Sequence, residues 1–465
     1  MKHYDVIVIG SGGGSKITRP AADLGLKVAI IDKGKLGGTC LNHGCIPSKM
    51  LIHSADLMSD SLDLERFNLK QKAPPKPQFS ELVKRVNRVI DKESQSIVPL
   101  YDKHPNITYY KKVATFIGPK TLQVGKEVLT ADKIFIAVGA EPMIPEIEGL
   151  EDVPYDTYFE ALRCEKQPKS LIVIGAGYIA AELGHFFGAL GTRLEFVVRS
   201  AFLKNEDGEI GKIFNEAFSK AYTVHQGAQP IKVEKKSKLI HVTLKLPSGR
   251  KKVIKAEKLL LATGVAPSTK SLGLEKAKIR TDAKGFIKVD KKLQTSAKGV
   301  YAFGDCIGTY LFRHSANFQG EYLFNRVIKK SVRGPIEYPP MPHAVFTHPQ
   351  IGGVGPTEEA LKAKGKRYIV GRCEYKNSAM GMALQSDIGL FKLIFDQKTQ
   401  KLIAAYAIGY EASTLIHMPI AYMNMGARLK DLLDTIYIHP ALSEIVRNAA
   451  RNARMQFEKL NIKVR

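Results

Sequence analysis

Two cysteines separated by four residues, Cys40 and Cys45, lie in the run Gly37-Gly38-Thr39-Cys40-Leu41-Asn42-His43-Gly44-Cys45-Ile46-Pro47-Ser48-Lys49. Residues five apart on a straight helix are offset by roughly 7.5 Å of rise, whereas a disulfide needs Cα atoms about 4.4–6.8 Å apart. The two can meet only if the backbone between them bends. Gly37, Gly38 and Gly44 permit a bend, and Pro47 fits the first turn of a following helix. Cys45 then stands near a helix N-terminus, where the dipole and the cation Lys49 lower a thiol pKa. A zinc site would need a second Cys/His pair at ligand spacing, and Cys164, Cys306 and Cys373 are scattered singly. The spacing points to redox-active thiols.

A group able to move protons for such thiols occurs near the C-terminus, in His439-Pro440-Ala441-Leu442-Ser443-Glu444. Pro440 suits the first position of a helix, which predicts His439 at the helix entrance and Glu444 one to two turns in. A carboxylate that holds one imidazole nitrogen fixes the tautomer and frees the other nitrogen for proton transfer.

The elements that must position these residues begin with strand 4–9, the turn Gly10-Ser11-Gly12-Gly13-Gly14-Ser15, a helix to Leu24 and a strand ending at Asp32. In such a unit the glycines let the backbone approach a pyrophosphate, and the terminal acid accepts from a ribose hydroxyl. A second unit runs from Ser170 to Ile174, turns at Gly175-Ala176-Gly177-Tyr178, continues as a helix to Leu190 and ends in strand 194–198. Each unit is followed by a β-rich stretch and by a strand with a small-residue turn, at Gly139-Ala140 and Thr263-Gly264. This internal duplication predicts two related dinucleotide domains. Two departures stand out in the first unit. Ser15 occupies the usual place of a third glycine or alanine, and Pro20 should kink or shorten the helix.

Composition narrows the class. The chain has 465 residues, enough for two to four domains. Five cysteines without framework spacing argue against a disulfide-stapled secreted protein. The N-terminus runs straight into a strand, and no apolar stretch approaches the roughly 20 residues of a membrane span. The expectation is a soluble, cytoplasmic protein without membrane attachment. The net charge is +25 and the pI is about 9.6. Lysines and arginines are spread through the chain with no nucleic-acid-binding motif, so specific nucleic-acid binding is not expected. The densest run, 232–258, interleaves lysines with Ile240, Val242, Leu244 and Leu246, as in a hairpin with a solvated basic face. Attraction of anionic cofactors and substrates is the reading adopted for the charge.

The cysteine segment, the duplicated glycine turns and the His439 to Glu444 motif resemble the flavoprotein disulfide reductases, and the resemblance spans essentially the whole chain. It implies an α/β fold with two Rossmann-like domains, one for FAD and one for NAD(P), plus a C-terminal α+β dimerisation domain. The corresponding boundaries are 1–150 with 267–335 for FAD, 151–266 for NAD(P) and 336–465 for the interface. Gly10, Gly12, Asp32, Lys49, Gly139 and Asp305 are implied to contact FAD, with Asp305 on its ribityl or phosphate part. Gly175, Gly177, Tyr178, Glu182, Arg199 and Gly264 are implied for NAD(P), with Tyr178 as an aromatic lid over the nicotinamide pocket. Lys49 and Glu182 match positions that pair beside the flavin ring. Cys40 is implied to exchange with substrate, Cys45 to stack on the flavin as a thiolate, and His439 with Glu444 to serve the other subunit of a homodimer.

The residues around Cys40 and Cys45 look most like dihydrolipoyl dehydrogenase, with a small thiol/disulfide or a lipoyl domain as substrate. NAD-specific members carry an acid at the end of the second strand of the nicotinamide unit. Here Val198 stands there, followed by Arg199, with Lys204 close behind. Arginine can pair a 2′-phosphate, so NADP(H) is expected over NAD(H). Phe346-Thr347-His348-Pro349 and the His439 region look closer to mycothione and glutathione reductases, whose NADPH-driven reduction of a small disulfide is the alternative. A flavin electron carrier or a structural subunit with incidental thiols is the remoter one.

Overall fold

The computed structural model of the chain describes residues 1–464. Strand Lys2–Ile9 is the axis of the first sheet, and its residues from Val6 onward are buried. Parallel strands Ile107–Tyr110, Val28–Ile31, Lys2–Ile9 and Glu127–Ile136 lie side by side in that order. Strands Thr121–Val124 and Ala114–Gly118 continue the sheet in antiparallel fashion. From far along the chain, Val300–Ala302, just ahead of Asp305, returns to pair in parallel with Glu127–Ile136. Continuous apolar runs such as Val28-Ala29-Ile30-Ile31 suit strands covered on both faces.

The second sheet repeats the order, with Thr223–Gln226, Arg193–Val198, Ser170–Ile174 and Lys258–Leu261 all parallel. The duplication extends to atomic detail. A Cβ at Gly10 would come within 2.3 Å of the Ala137 carbonyl oxygen, and one at Gly175 within 2.1 Å of that of Ala262. In both units the first glycine lets the turn close on the end of the fourth parallel strand. The basic run folds as the meander Gln229–Lys236, Leu239–Lys245 and Lys251–Ala256, whose Val233, Ile240, Val242, Leu244 and Ile254 are buried.

Helix α1 (Ser15–Asp23) follows the first glycine turn. It runs through Pro20 to Asp23, so the proline does not cut it short; a proline forfeits a single backbone bond. Ser15 also proves compatible with the turn, because the close approach falls one residue earlier. A Cβ at Gly14 would meet the Gly10 carbonyl oxygen at 2.1 Å and Val8 at 2.5 Å, while Ser15 Oγ donates to the Gly12 carbonyl. Next come α2 (Gly38–Asn42), α3 (Cys45–Leu62) and α4 (Phe79–Asp102), with the exposed, proline-rich loop 70–78 ahead of α4. Helix α5 (Tyr178–Ala189) is buried from Ala180 to Phe187 and packs on Leu51, Ile52 and Ala55 of α3. Helix α6 (Arg313–Leu323) lies beyond Asp305.

A third, antiparallel sheet orders Pro342–Val345, Gln350–Val354, Leu402–Gly409, Leu390–Asp396 and Tyr368–Glu374. Helix α7 (Glu444–Lys459) lies against it so closely that a Cβ at Gly371 would reach the Ala449 carbonyl at 2.1 Å. Here the sequence expectation needs correction. Helix α7 starts at Glu444, and His439 to Ser443 form a turn with a cis His439–Pro440 peptide. Pro440 is not the first helical residue, and Glu444 opens the helix. Among the described residues, no helix is long and apolar enough to cross a membrane.

Candidate active site

Cys40 lies in α2 and Cys45 opens α3, with the bend between them at His43 and Gly44. A Cβ at Gly44 would come within 3.0 Å of the Thr39 carbonyl, so a side chain there would crowd the bend. Both sulfurs are free thiols, and each bears on the ionisation of the other. The hydrogen bond from Cys40 pulls the Cys45 thiol down to about 7 against the opposing effect of burial; Lys49, its own helix-entry N–H and Arg313 act in the same direction. Donation to Cys45, together with burial, pushes Cys40 up. The two shifts run in opposite directions, so Cys45 ionises ahead of Cys40.

Lys49 follows Cys45 by four residues and so shares its face of α3. Its Nζ lies 2.6 Å from Glu182 Oε2 on α5 and 4.4 Å from the centre of the Phe346 ring. Glu182 is buried and uses its other oxygen to accept the Phe346 N–H at 3.1 Å. One ion pair thus ties the thiol helix, the helix of the second glycine turn and the third sheet together.

The first glycine turn has the make-up of a dinucleotide-binding turn. A Cβ at Gly12 would stand in van der Waals contact with Gly38 at 3.5 Å and with the Arg313 guanidinium at 3.6 Å, which puts a cation beside the turn where a phosphate would bind. Asp32 Oδ2 accepts the Ser11 N–H at 2.8 Å and its Oγ–H at 2.6 Å, which locks the turn to the end of Val28–Ile31. The Asp305 carboxyl suits the polyol part of a dinucleotide. Burial raises its carboxyl to about 6, Arg313 opposes the rise, and among the described residues no hydrogen bond reaches its side chain. Ribityl hydroxyls are the donors such a carboxylate wants. Gly139 has φ +71° with open space around it.

At the second turn Gly177 has open space as well. Tyr178, the first residue of α5, is half-buried, and Gly264 lies beside the pairing of Val265–Pro267 with Ala140–Pro142 that links the two units. Val198 is fully buried at its strand end, while Arg199 and Lys204 are exposed.

His439 stands apart from these groups within the chain. Its side chain is 70% exposed and follows the exposed Ile436 and Ile438 in the chain. Its Nδ1 lies 3.0 Å from Glu444 Oε2 and 3.1 Å from Oε1, which leaves Nε2 free. Although burial pushes the Glu444 carboxyl up, the Ala441 N–H, His439 and Arg447 together hold it below the usual range. No hydrogen bond or ion pair joins His439 to either cysteine among the described residues.

Residues 4–320 match the family described as pyridine nucleotide-disulphide oxidoreductase, and residues 341–450 match its dimerisation domain. The chain belongs to this family. It is 35% identical over 464 residues to dihydrolipoyl dehydrogenase of Thermus scotoductus, covering 98% of each chain. Mercuric reductase of Staphylococcus aureus is 32% identical over 98% of this chain and 84% of its own. Mycothione reductase of Mycobacterium tuberculosis is 32% identical over 98% and 100%. Among solved structures, the HOCl-induced flavoprotein disulfide reductase RclA from Escherichia coli superposes with a TM-score of 0.86 at 25% identity, covering 96% of this chain and 99% of that one. As a pyridine nucleotide-disulphide oxidoreductase, the chain is a flavoprotein oxidoreductase of the kind that works with FAD and a nicotinamide dinucleotide.

Membership directs attention to residues that sequence reasoning passed over. Arg313, eight residues beyond Asp305, lies 3.6 Å from where a Gly12 Cβ would stand and bears electrostatically on Cys40, Cys45 and Asp305. Glu206 and His343 surround Tyr178. No motif or spacing in the chain marks any of the three, since each gains its place from packing between distant segments.

Proposed function

We propose that this oxidoreductase passes electrons between a nicotinamide dinucleotide and a dithiol/disulfide substrate through Cys40 and Cys45, with dihydrolipoyl substrates as the preferred class. The observation that carries the reading is the placing of the two thiols, Cys40 in α2 and Cys45 at the head of α3, on either side of the tight bend at Gly44. Electrons move between thiols and disulfides by thiolate attack through a mixed disulfide. Bound FAD would supply relay of the electron pair between the nicotinamide and the sulfurs. Gly10, Gly12, Asp32, Gly139 and Asp305 would hold it, with Lys49 and Glu182 beside its ring system.

In the reducing direction, Cys40 gives up its proton and attacks a substrate sulfur, forming a Cys40–substrate disulfide and releasing the first substrate thiolate. The Cys45 thiolate then attacks the Cys40 sulfur, forming the Cys40–Cys45 disulfide and releasing the second thiolate. Each leaving thiolate takes a proton. Oxidation of a dithiol runs these steps backwards. The neighbouring Cys45 and burial push the Cys40 thiol up, so exchange needs a base beside it. On this reading the base is the partner subunit's His439, oriented by Glu444, in a homodimer with shared sites. The free Nε2, the exposed Ile436 and Ile438 and the dimerisation-domain match support it. The division into 1–150 with 267–335, 151–266 and 336–465 goes with the same reading, each part holding one of the three main sheets.

A second reading, an NADPH-driven reductase of a small disulfide, is favoured by one observation. The strand ending at the buried Val198 offers no acid for a ribose 2′-OH, and the exposed Arg199 follows it. Steady-state turnover with lipoamide, glutathione disulfide and mycothione, each with NADH and NADPH, separates the two. Fastest turnover with lipoamide supports the first reading, and a clear preference for another disulfide overturns it.

A further inference from the structure

Tyr178 stands at the meeting point of the three sheets. Its ring lies 6.2 Å from that of Phe312, which leads into α6, and 6.2 Å from that of His343, on strand Pro342–Val345 of the third sheet. The ring planes are within 21° and 15° of parallel, and Phe312 and His343 are themselves 6.5 Å apart, so the three near-parallel rings form a triangle. At the edge of this triangle sits Glu206, whose side chain is only 1% exposed. Glu206 Oε1 accepts the Tyr178 O–H at 2.7 Å, and Oε2 accepts from His343 Nε2 at 2.8 Å. An ionised carboxylate has no proton to donate, so the proton between the last two belongs to Nε2.

The seat of His343 is built into the third sheet. His343 and Gly353 are directly opposed in the antiparallel pair Pro342–Val345 and Gln350–Val354, and a Cβ at Gly353 would come within 2.5 Å of the imidazole. Glycine there lets the ring lie flat over the neighbouring strand. Glu206 is fixed from the other side as well, because its neighbour Asp207 is fully buried and ion-paired with Lys392 of the same sheet at 2.8 Å. A carboxylate this buried is costly unless both oxygens are satisfied. The tyrosine and the histidine meet that requirement together.

We infer that Glu206 is a positioning residue, a catch anchored on His343 of the third sheet that holds the Tyr178 ring against Phe312 and sets how readily nicotinamide enters. The inference rests on the reading of Tyr178 as the cover of the nicotinamide pocket. For the ring to move aside, its O–H must leave a buried anion, and that is the contact a dinucleotide has to break. The third sheet thereby fixes the resting position of a side chain that belongs to the nicotinamide unit.

The test is a double-mutant cycle on the FAD-loaded enzyme, with Tyr178→Phe removing only the hydroxyl and Glu206→Ala removing only the acceptor. Breaking a hydrogen bond to a buried charge should lower the nicotinamide KM roughly tenfold, with kcat moving much less. The reduced enzyme should also react faster with dioxygen, because its flavin is less well covered. The double variant should match either single one, Glu206→Gln, which keeps one acceptor oxygen but loses the charge, should give a KM between wild type and Glu206→Ala, and His343→Ala should move KM in the same direction by a smaller factor. Additive effects, or a Tyr178→Phe enzyme with wild-type KM and oxygen reactivity, overturn the catch. Tyr178→Ala separates the two readings: if it alters KM while Tyr178→Phe does not, the cover stands and the catch falls, and if neither alters KM both fall. Should Glu206→Ala fail to fold, Tyr178→Phe alone decides.

Discussion

Lys49, one turn into the helix that Cys45 opens, closes at 2.6 Å on Glu182 of the helix that Tyr178 opens, so the thiol site and the second glycine turn are rigidly linked. The ammonium has two duties. It neutralises a buried carboxylate, and it contributes to holding Cys45 as a thiolate.

Alkylation kinetics read the second duty directly. In the FAD-free dithiol protein, iodoacetamide should label Cys45 before Cys40, with a rate that rises through about pH 7 as Cys45 ionises. Lys49→Met combined with Glu182→Gln, which avoids stranding a buried anion, should shift that midpoint upward. An unchanged midpoint, or first labelling at Cys40, would remove the basis for the role given to Cys45.

Shared sites predict complementation. Cys40→Ser and His439→Ala homodimers should each be inactive in disulfide turnover. After equal mixing and subunit exchange, half of the dimers are mixed and each carries one intact site, so recovery should reach about a quarter of wild-type activity. Exchange verified by mass spectrometry without recovery would mean that His439 serves the thiols of its own chain or none at all.

The cofactor preference turns on Arg199. A guanidinium pairs a phosphate dianion through charge-assisted bonds, so Arg199→Ala should raise the KM for NADPH by roughly ten- to hundredfold and leave NADH nearly unchanged. Adding Val198→Glu should tip the preference toward NADH. Comparing kcat/KM for both cofactors checks this, and equal values in wild type and Arg199→Ala would leave the arginine a surface bystander.

Asp305 predicts a pH effect of definite sign. Its carboxyl in the FAD-free chain is raised from the usual 3.8 to about 6, so between those values the folded chain binds more protons than the unfolded one. Stability of the FAD-free protein should therefore fall as pH rises from about 4 to 6, at a cost on the order of 3 kcal/mol once both states are ionised. Asp305→Asn should abolish this part of the pH dependence in urea unfolding while weakening FAD binding measured by fluorescence quenching. A variant that follows the wild-type pH profile and affinity would show the carboxylate to be spectator to both.

Much of this architecture is written locally in the chain. The bend between Cys40 and Cys45 follows from helix rise and from Gly44, and the two parallel units follow from glycine turns set between apolar runs. Both can be read because each depends on residues within a few positions of one another. Even here the tertiary structure made corrections: the close approach in the first turn belongs to Gly14, α1 tolerates Pro20, and α7 begins at Glu444 rather than Pro440. Other features arose only on folding. Lys49 and Glu182 are 133 residues apart, and Glu206 and His343 are 137 apart. Nothing in the sequence links such residues, because their contacts depend on how three sheets pack together rather than on any local preference. The opposite shifts of the two thiols and the raised carboxyl of Asp305 have the same origin. They are properties of burial and of neighbouring charge, which exist only once the chain has closed around them.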